Sequence, residues 1–101
     1  MLPSHRIATH PGVILQEEFL EPMGQTPLAL AKHIGLSEQT IEAIVCGKRG
    51  ILPETAWLLA QSSGTTPEFW LTLQANYDLS AKRPHRQIER LGQNTPLNST
   101  Q

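Results

Sequence analysis

One cysteine, Cys46, is all that 101 residues contain, so no internal disulfide can close and no Cys-based metal site can be assembled. This suits a reducing compartment, with Cys46 expected to serve as a small, half-buried apolar residue. Also missing is any apolar run long enough to cross a bilayer, and "MLPSHRIATHPG" lacks the apolar stretch of a signal peptide. A soluble, cytoplasmic chain is therefore expected. Runs of β-branched residues are few while Leu, Ala, Gln and Glu are common, which gives a sheet little support and points to an all-α fold. No Gly-rich phosphate loop, nucleophile elbow or His–Cys dyad occurs. His5, His10, His33 and His85 are scattered, without a second ligand at helical or finger spacing, so no metal is expected. Glu17 and Glu18 are neighbours that point in different directions on a helix, which makes them an acidic patch rather than a catalytic pair. The expectation is a protein that is not an enzyme and uses no cofactor.

Cations are scarce too, and unevenly placed. Residues 1–79 carry Arg6, Lys32, Lys48 and Arg49 against eight carboxylates, a net of −4, whereas residues 80–101 carry Lys82, Arg83, Arg86 and Arg90 against Glu89 alone, a net of +3. An acidic body is followed by a basic tail. The length allows one domain with a modest core. The expected organisation is an N-terminal arm over 1–9, a folded unit over 10–79 and a tail over 80–101, whose polar end "GQNTPLNSTQ" is too poor in apolar residues to pack. Only Ile88 and Leu91 could hold a short helix there.

Punctuation marks out five helices. The first follows "HPG" as "VILQEEFLEP", with Leu15 and Phe19 four apart and Pro22 beyond its end; His10 should cap or pack at its start. The second runs over about Pro27 to Ile34, capped by Thr26 and stopped by Gly35. The third begins after Ser37, carries Ile41, Ile44 and Val45 on one stripe and ends at Gly47. The fourth runs from about Pro53 to the stop at Gly64, with Ala56, Leu59 and Ala60 inward. In the fifth, Thr66 caps, Pro67 opens, and Phe69, Leu73 and Tyr77 recur every four residues.

Helices two and three are separated by so little chain that they must cross steeply. Ala31 is small enough to allow close approach, Gly35 tolerates a left-handed turn, and Ile41 and Ile44 fill the angle. This spacing predicts a helix-turn-helix. Its surroundings are more specific: "HPGVILQEEFLEPMG", "LALAKHIGLSEQTIEAIVCGKRGI" and "TPEFWLTLQANYDL", in that order, resemble the HigA (VapI-like) antitoxins of the Xre/Cro repressor-like superfamily over residues 10–79. The resemblance implies a five-helix, lambda repressor-like domain that dimerises, binds a palindromic operator in double-stranded DNA and neutralises a HigB-like, mRNA-cleaving toxin.

In such a motif the start of the second helix enters the major groove. By that geometry and by similarity to the repressors, Ser37, Glu38, Gln39, Thr40 and Ala43 are the groove-facing positions. Gln39 could pair with adenine and Glu38 with cytosine, while Ala43 and the Thr40 methyl suit a thymine methyl. Glu38 and Glu42 could equally be solvated charges, and Glu42 has no evident basic partner. Lys48 and Arg49, with the helix starts at Thr26 and Ser37, are the candidates for phosphate contact. Two positions depart from the family pattern: Pro27 replaces the usual Gln, and Cys46 replaces the Asn of an Asn-Gly-Lys turn, removing a side chain able to hold the loop. These departures keep open a toxin-neutralising module with little DNA affinity, and a general Xre-family repressor without a toxin remains a third reading. Of the rings Trp57, Phe69, Trp70 and Tyr77, a small body cannot bury all, so Phe69, Trp70, Leu73 and Tyr77 form the expected dimer interface, with one of Phe69 and Trp70 turned into the core.

Overall fold

Residues 6–92 are described in the computed structural model, and every regular element among them is helical. The chain runs through α1 (Pro11–Ile14), a π-helical continuation (Leu15–Leu20), α2 (Pro27–Ile34), α3 (Glu38–Val45), α4 (Pro53–Ser63) and α5 (Pro67–Ala81). Each start has a local cause. Thr26, Ser37 and Thr66 each accept a hydrogen bond from the amide three residues on, and Pro opens α2, α4 and α5, where the missing N–H costs nothing.

The first helix differs from expectation. It begins at Pro11 and takes in Gly12, because His10 Nδ1 accepts the Gly12 amide at 2.9 Å and caps it. It then widens: the Glu21 amide reaches back five residues to the Gln16 carbonyl at 2.9 Å. Widening brings Leu15 and Leu20, five apart, into the core together, whereas an α-helix would turn one of them away.

Leu15 and Leu20 join Ile44, Ile51, Ala56, Leu59, Ala60 and Trp70 in one apolar cluster, with Phe19, Leu30, Ile34 and Leu73 packed around it. Burying a side chain the size of Leu, Ile or Trp contributes roughly 1.5–3 kcal/mol or more. Trp70 is 0 % exposed, and its indole N–H donates to Thr65 Oγ1 at 2.8 Å. The most exposed ring is Trp57 of α4, 57 % exposed.

Helices α1 and α3 meet at backbone contact. A Cβ built on Gly12 would lie 1.8 Å from the Ile44 carbonyl oxygen. Only glycine permits that contact.

Both ends of the fold depart from expectation. Helix α5 continues two residues past Leu79, to Ala81, and Ser80 Oγ accepts the Ala8 amide at 2.9 Å, tying the arm to the end of α5. Beyond it, residues 82–92 are exposed and non-helical, with Ile88 73 % and Leu91 94 % exposed. No short helix forms around those two residues, since they find no apolar surface. Disorder of the final residues is an expectation that falls on 93–101 and lies outside the described residues.

Candidate nucleic-acid interface

Three residues, Gly35 to Ser37, separate α2 from α3. Gly35 takes φ +81°, and the amides of Gly35 and Leu36 both donate to the Ala31 carbonyl, at 2.9 and 3.0 Å. This left-handed stop turns the chain at once. Ala31, Ile41 and Ile44 are buried, as a close crossing of two short helices requires.

With Ile41 and Ile44 inward, α3 turns Glu38, Gln39 and Glu42 to solvent, and Ala43 is half-buried at the margin of that face. Ser37 Oγ accepts the Thr40 amide at 3.1 Å and lies 2.8 Å from Thr40 Oγ1, so both hydroxyls are already engaged in the cap. The Glu38 and Gln39 amides are left without a partner among the described residues and point out of the helix start. At α2, Thr26 Oγ1 accepts the Ala29 amide at 3.1 Å, and Pro27 has no N–H to offer. Its free donor is the Leu28 amide, so that start is the poorer anion ligand of the two.

Past α3 the chain closes with Gly47 at φ +78°, and the amides of Lys48 and Arg49 both donate to the Ala43 carbonyl, at 2.8 and 3.2 Å. Their side chains are exposed. The half-buried role expected for Cys46 is corrected: its thiol side is exposed, because Val45 and Ile44 take the inward positions of that turn. Among the described residues a single ion pair occurs, Lys82 to Asp78 at 3.7 Å, so Glu38 and Glu42 have no cationic partner within the fold.

Behind this loop lies a cleft formed with His10 and the second half of α5, including Gln74, Tyr77 and Asp78. His10 meets the Tyr77 ring edge-on, with centroids 4.7 Å apart, and Gly47 passes over the imidazole. Burial lowers the His10 pKa from its ordinary value, with the Asp78 carboxylate acting in the opposite direction. Gln74 Oε1 accepts the Ile51 amide at 2.7 Å. Neither contact had a signal in the sequence, because His10–Tyr77 and Ile51–Gln74 join residues far apart along the chain.

One expected dimer residue needs correction. Trp70 is wholly enclosed by the chain's own core and has no surface left for a partner, so of the adjacent pair it is Phe69, 38 % exposed, that faces outward. Leu73 and Tyr77 are half-buried, and Tyr77 is partly occupied by His10.

A glycine-stopped helix, a short turn and a second capped helix with an outward polar face define a helix-turn-helix protein. No family model matches the chain. Among curated proteins, "Virulence-associated protein I" of Dichelobacter nodosus is 42 % identical over 80 residues, covering 79 % of this chain and 74 % of that protein. "Antitoxin HigA-1" of Vibrio cholerae is 43 % identical over 79 residues, covering 77 % of this chain and 73 % of that protein. Among solved structures, Pseudomonas aeruginosa antitoxin HigA with the higBA promoter superposes at TM-score 0.75 with 36 % identity, over 82 % of this chain and 97 % of that one. The chain belongs to the HigA (VapI-like) family of helix-turn-helix antitoxins.

Proposed function

We propose that the protein is a HigA-type antitoxin that docks α3 in the major groove of its own operator as a homodimer, represses its operon and neutralises a HigB-like toxin. The observation that carries the DNA reading is the outward polar face of α3, with Glu38 and Gln39 exposed at a capped helix start and Lys48 and Arg49 exposed past its end. Kinship to an antitoxin solved with its promoter supports the same orientation. Gln39 and Ala43 then read base edges, Glu38 disfavours all but a cytosine neighbour, and the free Glu38 and Gln39 amides with Lys48 and Arg49 hold phosphates. Thr40 and Ser37 contribute mainly through the cap. Phe69, Leu73 and Tyr77 of α5 are the proposed two-fold contact, which sets the two α3 helices about 34 Å apart.

A second reading, a toxin-binding module with little DNA affinity, is favoured by the carboxylates of Glu38 and Glu42, which have no cationic partner among the described residues. Titration of an operator duplex by fluorescence anisotropy separates the two. Gln39→Ala should cost on the order of 1–3 kcal/mol at the operator and relax base preference, whereas Arg49→Ala should weaken operator and random duplex alike. A wild-type protein that binds operator no better than random duplex would establish the second reading, and sedimentation as a monomer at micromolar concentration would remove the dimer.

A further inference from the structure

Lys48 and Arg49 sit on a segment, residues 46–52, that links α3 to α4 and contains no helix. The orientation of two cations on such a segment depends on what fixes its backbone. Its first half is fixed from α3, through the two bonds to the Ala43 carbonyl. The Cys46 amide adds a bond to the Glu42 carbonyl at 2.9 Å, while its side chain is exposed and makes no hydrogen bond among the described residues. The second half is held from elsewhere. The Gln74 carboxamide, at mid-length on α5, accepts the Ile51 amide at 2.7 Å, and its Nε2 donates to Asp78 Oδ1 at 3.0 Å. Asp78 in turn pairs with Lys82 at 3.7 Å. That second bond orients the amide, because the nitrogen must face Asp78 and the oxygen is thereby aimed at Ile51. Gly50 makes the approach possible: a Cβ there would lie 3.0 Å from three atoms of the same carboxamide.

We propose that Gln74 is a positioning residue for DNA binding, a clamp from α5 that sets the loop carrying Lys48 and Arg49 against the phosphate backbone. The inference rests on the DNA reading above. It also gives α5 two tasks on one helix, since Leu73 and Tyr77, on either side of Gln74, belong to the proposed contact between copies. Loss of the clamp leaves the Ile51 amide without its acceptor and frees the loop, so phosphate contacts weaken while the base-reading face of α3, capped independently by Ser37, stays as it was.

The test uses the full chain with Gln74→Met, close in size but unable to accept or donate as the amide does, beside Lys48→Ala/Arg49→Ala and the triple variant. Dimer mass and thermal melting are followed in parallel. Gln74→Met should weaken operator and random duplex together, by roughly two- to tenfold. It should also reduce the slope of log affinity against log salt by roughly 1–2, the loss of one or two phosphate contacts. In the Lys48→Ala/Arg49→Ala background it should do almost nothing further, since the clamp acts through those two cations. Amide hydrogen exchange at Ile51 should accelerate in the free protein. An unchanged affinity and salt slope, or a Gln74→Met penalty that adds in full to the double variant, would overturn the proposal while leaving operator recognition intact. A wild type that binds no duplex would instead remove the DNA reading, and the clamp's role with it.

Discussion

Gly12→Ala places one methyl group where α1 meets the last turn of α3. The added Cβ would lie 1.8 Å from the Ile44 carbonyl oxygen, 2.7 Å from the Ile44 carbonyl carbon and 3.0 Å from the Val45 Cα. All three obstacles are backbone, so no rotamer change relieves them. The helices must part by about 1.6 Å to restore ordinary contact, and the cap on Gly12 from His10 must move with them. Intrinsic propensity acts the other way, because Ala is favoured over Gly within a helix by up to about 1 kcal/mol. Overpacking a tight site costs about 1–3 kcal/mol, and a backbone obstacle belongs at the upper end, so a net loss of about 2 kcal/mol is expected. For a domain of this size that is a fall in Tm of roughly 8–16 °C. Urea and thermal unfolding followed by circular dichroism measure it. Gly24→Ala serves as control: nothing lies within 4 Å of a Cβ there, but φ is +67°, so only conformational strain of about 1–2 kcal/mol applies. A Gly12→Ala protein melting within a few degrees of wild type would refute the close contact and the placement of α3 that depends on it.

Three further outcomes are expected. Because the His10 pKa is lowered by burial, the folded state prefers neutral imidazole; its contribution to stability is present above the ordinary value near 6.5 and is lost as pH falls through the lower folded value. His10→Asn, which can still accept the Gly12 amide, should melt with a shallower pH dependence than wild type between pH 7.5 and 5. Trp70→Phe removes the hydrogen bond to Thr65 and leaves a cavity in the cluster, for a cost of about 2 kcal/mol by urea unfolding; dimer mass should not change if Trp70 has no interface role. Removing residues 83–101, which spares α5 and the Lys82–Asp78 pair, takes away Arg83, Arg86 and Arg90 and should lower affinity for operator and random duplex together, with about 0.9 lost from the salt slope per phosphate contact. An unchanged slope would mean that the tail serves the dimer or a protein partner instead.

The sequence by itself determined the helices and the motif, because their signals are local. Thr26 with Pro27, Ser37, and Thr66 with Pro67 act within one turn of themselves, and Gly35 and Gly64 stop helices by taking a left-handed φ that few other residues tolerate. The i, i+3 stripe of Ile41 and Ile44 fixed which face of α3 is inward, and so left Glu38, Gln39 and Glu42 outward. Tertiary structure decided everything that depends on a second segment. Whether Phe69 or Trp70 faced the core could not be read from adjacent positions on one helix; packing against Leu15, Leu20 and Ile44 and a hydrogen bond to Thr65 settled it. The π-helical widening answers the demand of the core for both Leu15 and Leu20, a demand absent from the local sequence. Gly12 reads as punctuation in "HPG" until α3 passes at backbone contact. Gln74 reads as one more polar residue on a helix until Ile51, 23 positions earlier, brings it a buried amide to accept. Capping and turning are short-range forces that a linear chain displays, whereas close packing and the satisfaction of buried donors exist only once the chain has folded on itself.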